Sequence, residues 1–215
     1  MSMDRRGFFA SLFGVEPKEW FLGVQIVFST LPSDTTTVRR LRELVRMASE
    51  QNHAEFAERK RGYYKELAAI LLENKPYWEY GYWDAIWDDN DAAAEFDEWC
   101  AELHATIATE TAEIGGAVDE VNRLSSDKCY IAVTVCLLLE NHTALEATWN
   151  LIEAIPEEEY WTMRGFAELL EALRRVDFEC SLADAIFVIP GTDDDGFSWE
   201  DLHGAGWDYL KPITP

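Results

Sequence analysis

Six aromatic side chains crowd into one short stretch: Tyr77, Trp78, Tyr80, Tyr82, Trp83 and Trp87. Tyr and Trp carry a large apolar ring with a polar tip, which makes them favoured anchors at binding surfaces. Two readings fit. The rings close over the hydrophobic core as a lid, or they present a recognition face to a protein partner. A lid can also serve as a docking face. These six are the candidate binding residues.

The acids nearby invite a metal reading. Asp88-Asp89-Asn90-Asp91 offers oxygen ligands, but a calcium loop also needs a glycine and a distal Glu at fixed spacing. Three alanines follow instead, and acids suit the first turn of a helix, where they complement its dipole. Asp193-Asp194-Asp195-Gly196 has the glycine, yet the frame puts Gly191 at the first ligand position. Glu50 with His53 and Glu200 with His203 have the Glu-x-x-His spacing of di-iron bundles. Neither pair sits in the middle of a long apolar helix.

Nucleophilic and phosphate chemistry find less support. No Gly-x-Ser-x-Gly elbow occurs. Gly115-Gly116 falls inside a predicted helix rather than after a strand, so it is no phosphate loop. Cys100, Cys129, Cys136 and Cys180 form no C-x-x-C pair, which argues against a zinc ribbon or a thioredoxin-type site. Cys129 has no His beside it in sequence, and Cys136 reads as a small buried hydrophobe. A reducing, cytoplasmic compartment is the simplest inference. No catalytic residue, metal ligand or cofactor is assigned.

Acids outnumber bases 41 to 18, for a formal net charge of −23, a balance that repels a phosphate backbone. Nucleic acid is therefore not an expected partner. The bases are concentrated: Arg39, Arg40, Arg42, Arg46, Arg59, Lys60, Arg61 and Lys65 lie in the N-terminal third, whereas from Glu73 to Glu120 only Lys75 is basic. Such a chain can orient on a charged partner or on its own copies. The plainer reading is a solvated acidic surface.

Residues 1–21 form a separate segment, amphipathic or signal-like. Arg5-Arg6-Gly7-Phe8-Phe9 has the look of a twin-arginine export signal. The apolar run after it is short and meets Glu16-Pro17-Lys18, without a small-x-small cleavage site. A short helix that docks on the body or touches a membrane surface is the preferred reading, which allows peripheral membrane contact through residues 1–20. No run approaches the ~20 apolar residues of a membrane span.

Residues 22–215 must hold these groups in place, and they read as one α+β domain. Leu22–Ser29 alternates as a strand, with Leu22, Val24, Ile26 and Phe28 on one face and Gln25 on the other. Val38, Leu41, Val45 and Ala48 mark a first helix. A second spans about Ala54–Glu73, with Phe56, Tyr63, Leu67, Ile70 and Leu71 as its stripe. A third starts near Asp91 and keeps Phe96, Trp99, Leu103, Ile107, Ile114, Val118 and Val121 on one face, with Gly115-Gly116 weakening it. Tyr130–Leu139, nearly all apolar, predicts a strand buried on both faces. Thr143 and Glu146 form a capping box for a helix that ends before Pro156. Thr162–Val176 is another helix, Ala185–Ile189 a third strand, and Ser198–His203 a short capped turn. The predicted order is β-α-α-α-β-α-α-β: a small three-stranded sheet covered by about five helices, with a parallel crossover joining the second and third strands.

Four phrases in this order resemble the domain family numbered 1517, a family of unknown function found in cyanobacteria, plastids and some other bacteria: VQIVFSTLP (Val24–Pro32), LLENKPYWEYG (Leu71–Gly81), YIAVTVCLLLENHTAL (Tyr130–Leu145) and ADAIFVIPGTDDDGFSWEDL (Ala183–Leu202). The resemblance spans roughly Leu22–Ile213. Many relatives have a membrane span ahead of the domain, and this sequence lacks one. The resemblance implies one domain with an interaction or regulatory role and supplies no catalytic residues. The expectation is a non-catalytic module that binds a protein partner or a membrane-associated complex through its aromatic–acidic surface. A metal-dependent enzyme using the acidic loops, or a protein exported by the twin-arginine route, remains as the alternative.

Overall fold

The structure is a computed structural model that describes residues 18–30, 35–49, 56–89, 91–114, 130–189, 197–204 and 206–215. The central strand is β1 (Glu19–Ser29), a run of buried residues between two half-buried ends. On one side it pairs with β2 (Trp78–Asp89), Val24 facing Trp83. On the other it pairs with β3 (Tyr130–Glu140), Val24 facing Val135. Outside β3 lies β4 (Ser181–Ile189), and outside β2 the two-residue β5 (Lys211–Pro212). The sheet order is β4-β3-β1-β2-β5, and every pairing is antiparallel.

This corrects the expected three-stranded sheet with its parallel crossover. The sheet has five strands and, among the described residues, six α-helices: α1 (Thr35–Ser49), α2 (Phe56–Glu73), α3 (Ala92–Ile114), α4 (Thr143–Glu153), α5 (Met163–Leu173) and α6 (Trp199–Leu202). The connections explain the antiparallel result. Two helices join β1 to β2, and two join β3 to β4. A pair of helices travels out and back, returning the chain to the end of the sheet it left, so the next strand runs the other way. Among the described residues α3 is the one helix between β2 and β3, which flank β1 and therefore run in the same direction.

The missed strand is the aromatic stretch itself. Both faces of β2 carry large rings, so no polar–apolar alternation marks it. Gly81 and its many acids read as turn chemistry, while its Trp, Tyr and Ile residues fit a pleated surface.

The two faces of the sheet are unlike. On the front, Trp20, Leu22, Val24, Ile26 and Phe28 of β1 join Ile131, Val133, Val135, Leu137 and Leu139 of β3 in one continuous cluster. Helices α1, α2, α4 and α5 cover it through Leu41, Leu67, Leu145 and Phe166, among others. On the back there are two smaller clusters. One gathers Val27, Ala132 and Ile189 under Phe197, Trp207 and Leu210 of the C-terminal segment. The other gathers Phe21, Cys136 and Leu138 under Ala92 and Leu103 of α3.

A polar seam joins the strands on the back face. Gln25, only 1% exposed, donates from Nε2 to Thr134 Oγ1 at 2.8 Å and accepts from the Tyr209 hydroxyl at 2.7 Å. A buried amide keeps its stability only when hydrogen-bonded, so these contacts also fix where the C-terminal segment lies.

Local detail shifts a further expectation. His142, not Thr143, is the N-cap of α4: its extended backbone places Nδ1 to accept from the Ala144 N–H at 3.2 Å. The Ser198–His203 turn is capped as expected, and Thr162, read as the first residue of its helix, is that helix's cap. Thr162 caps α5 and accepts from the Gly165 N–H at 3.1 Å, and Ser198 with Asp201 forms a full capping box on α6.

The basic third is also partly turned inward. Lys60 is buried and pairs with Asp184 of β4, reaching Ser181 Oγ at 3.2 Å. The Tyr64 hydroxyl donates to the other Asp184 oxygen at 2.8 Å. Tyr64, rather than Tyr63, is the tyrosine of α2 that enters the core. Arg40 of α1 spans to Glu66 and Glu73 of α2 at 2.9 and 2.6 Å, locking the two helices together.

Among the described residues no helix is long and apolar enough to cross a membrane. Residues 1–17, with the twin-arginine segment, lie outside the described residues, as do Gly115, Gly116, Val118 and Val121 of the predicted third helix.

Candidate functional site

Tyr80 and Tyr82 alternate with Trp83 along β2, so the strand sends them to opposite faces. The six predicted binding residues are thereby divided. Trp78, 3% exposed, belongs to the front cluster and donates from Nε1 to the Leu71 carbonyl at 3.1 Å. Trp83 packs on the same cluster and donates to the Tyr160 carbonyl at 3.0 Å. Trp87 stacks on Trp149 at 4.9 Å and meets Trp20 edge-on at 5.6 Å. Tyr77 is exposed, in the turn before β2. Tyr80 and Tyr82 stand on the back face.

Tyr82 opens onto a cleft of about 370 Å³. Gln25 and Tyr82 form its sheet side. Helix α3 supplies one wall through Glu95, Glu98, Trp99, Glu102 and Leu103, and Gly206, Trp207 and Tyr209 supply the other. The cleft fills the gap between the two back-face clusters, where neither α3 nor the C-terminal segment covers the sheet completely.

Each wall has a local cause. Trp99 lies against β1 because residue 23 is glycine: a Cβ there would stand 2.8 Å from two Trp99 ring carbons. The Trp99 ring meets Phe21 edge-on at 5.6 Å and stacks on Tyr82 at 5.8 Å. Trp161 stacks on Tyr82 at 5.7 Å while also tilting against Trp83, so it straddles the outer side of β2. The opposite wall turns at Gly206, whose φ of 101° suits only glycine. Trp207 then packs on Phe197 at 5.0 Å, and Tyr209 meets Tyr82 edge-on at 5.5 Å. The segment is held beyond this point by β5 and by the Ile213 N–H, which donates to the Glu79 carbonyl at 2.8 Å.

The electrostatics are one-sided. The described lining contains three glutamates and no Lys, Arg or His. Burial pushes the Glu95 carboxyl above the usual range, the Trp99 N–H opposes this at 3.0 Å, and repulsion from Asp84, Glu98 and Glu102 adds to it. Burial raises the Tyr82 phenol, with Asp84 and Glu95 adding to the shift. Burial likewise pushes Tyr209 up to about 12, so both phenols are neutral at physiological pH. Beneath α3, a hydrogen bond between the Cys100 and Cys136 thiols holds Cys100 below its ordinary value and pushes buried Cys136 well above its own.

Only Tyr82 of the six predicted residues lines this cleft. Trp99 falls on the predicted apolar face of the third helix, Glu95, Glu98 and Glu102 belong to its acidic surroundings, and Trp207 and Tyr209 lie beyond the last predicted element. A readable signal did exist: the three glutamates recur at helical spacing on either side of Trp99. Gln25, a lone polar residue in an apolar strand, was another.

Among the described residues no group of three or more His, Cys, Asp or Glu is placed to share a metal ion. Residues 190–196, with the second acidic loop, lie outside the described residues, as do Asn90, Glu50, His53 and Cys129; the side chains of Asp88 and Asp89 are likewise not described. His203 of the other Glu-x-x-His pair is occupied differently: its Nδ1–H donates to the Trp199 carbonyl at 2.9 Å, Nε2 faces the Tyr80 hydroxyl at 3.4 Å, and the ring stacks on Trp199 at 3.9 Å.

A family model described as a protein of unknown function (DUF1517) matches residues 23–203. No curated protein and no solved structure matches the chain.

Proposed function

We propose that this chain, which belongs to the DUF1517 family, is a non-catalytic binding module that takes a protein partner at its back face. The observation that carries this reading is the cleft between α3 and residues 206–209, where aromatic rings and carboxylates surround a space of about 370 Å³. That volume lies near the lower end of ligand sites, sufficient for a side chain or a short segment of a partner. Trp and Tyr at its walls are the residue types that dominate binding hot spots. The contact centre is therefore Tyr82, Trp99, Trp207 and Tyr209. Trp78, Trp83 and Trp87 serve the lid role, because their rings belong to the front core.

A photo-reactive phenylalanine analogue tests this. Placed at Asp208, an exposed position between two lining residues, it should give a discrete adduct with one polypeptide in native extract. The same probe at Leu182, exposed on β4, should not. Equal adducts at both positions, or none at Asp208, would defeat the proposal.

A further inference from the structure

We infer that the cleft receives a guanidinium group, the side chain of an arginine on the partner polypeptide. This deepens the binding-module reading and rests on it.

The charge of the walls comes first. Glu95, Glu98 and Glu102 line one wall, and no basic side chain appears in the described lining. Glu98 and Glu102 are exposed and Glu95 is half-buried, and an open cleft with charges of one sign still attracts the opposite sign. An anionic ligand such as a phosphate or a carboxylate is repelled.

The second argument is the balance of donors and acceptors. The Trp99 N–H is spent on Glu95 Oε1 at 3.0 Å. The Tyr209 O–H is spent on Gln25 Oε1 at 2.7 Å, and one Gln25 N–H is spent on Thr134 at 2.8 Å. The Tyr82 O–H and the Trp207 N–H remain donors, so the acceptor excess is that of the α3 wall, where Glu95 and Glu98 only accept. The ligand that complements such a lining is rich in donors and poor in acceptors. Guanidinium has five N–H donors and no acceptor.

Shape supplies the third argument. Trp99 and Tyr209, both partly exposed, give flat apolar surface, on which a planar cation stacks more readily than a compact ammonium. A planar fork also pairs bidentately with a carboxylate. A cation would further relieve the mutual repulsion of Glu95, Glu98 and Glu102, which already opposes Glu95 ionisation.

The test is a tryptophan-fluorescence titration of the full chain with Nα-acetylarginine amide, its citrulline counterpart and Nα-acetyllysine amide. The arginine compound should bind saturably, about tenfold more tightly than neutral citrulline, a ratio equivalent to ~1.4 kcal/mol. It should also bind more tightly than the lysine compound and weaken as salt rises. Glu98→Gln should lower its affinity several-fold with the melting temperature kept. Citrulline binding as tightly as arginine, or no saturable binding at all, would overturn the inference. The Asp208 photo-adduct separates the two readings. An adduct that resists excess arginine amide leaves the binding module standing and removes the arginine. Arginine binding without any adduct retires the partner reading and leaves a guanidinium site.

Discussion

The front and back of the sheet share three long strands but use aromatic rings in opposite ways. On the front, Trp20, Trp78, Trp83, Trp87 and Trp149 fill a single cluster, and the indole N–H groups of Trp78 and Trp83 are spent on backbone carbonyls. On the back, Tyr82, Trp99, Trp207 and Tyr209 stand around a space, with carboxylates beside them. The same residue types are packing material on one face and a binding wall on the other. What separates them is coverage. Among the described residues, four helices close the front, while one helix and a short C-terminal segment leave a gap on the back.

This contrast predicts that stability and binding divide by face. Trp78→Ala has the largest expected effect. It empties a fully packed front site and abandons the Leu71 carbonyl, so it should cost about 3–5 kcal/mol in urea unfolding. A cost below 1 kcal/mol would show that the front is not the stabilising face.

Lys60→Met comes next, at about 3 kcal/mol, because it strands the Asp184 carboxylate inside. The lower end of the usual range is expected, since Asp184 keeps the Tyr64 hydroxyl. Adding Asp184→Asn should recover part of the loss, and failure to recover any would place the cost elsewhere.

Tyr209→Phe removes the hydroxyl that Gln25 accepts on the back face. Unfolding free energy should fall by about 1 kcal/mol, the size of one net hydrogen bond.

The smallest effect has the opposite sign. Glu95 has its carboxyl raised by burial and by neighbouring acids, so folding holds its proton more tightly than the unfolded chain does. Its contribution is most favourable below the ordinary glutamate range and is lost as pH rises through the raised value. Glu95→Gln should therefore raise the melting temperature slightly at neutral pH. The gain should vanish in acid, as a pH series of thermal melts would show. A carboxylate kept at such a position fits a role in binding rather than in folding.

How much of this was legible depended on whether an element shows a period. Glu19–Ser29 and Tyr130–Glu140 are apolar enough to read as buried strands, and α1 and α5 carry clear stripes. The 78–89 strand, with rings on both faces, has no period to find. Lys60 illustrates a different limit. It sits four residues before Tyr64 on the buried stripe of α2, and only a partner from β4, more than a hundred residues away, makes that tolerable. The cleft was the least legible part. Its walls come from α3 and from a C-terminal segment without regular periodicity, and strand pairing brings them together. Glu95, Trp99 and Glu102 could be placed on one helix by spacing, but not opposite Tyr209.

The nine indole N–H resonances give the most direct test of the division between faces. In an NMR titration with Nα-acetylarginine amide, Trp99 and Trp207 should shift, while Trp20, Trp78, Trp87 and Trp149 stay in place. Shifts of Trp87 and Trp149 with Trp99 and Trp207 unmoved would put the ligand on the front face and contradict the account.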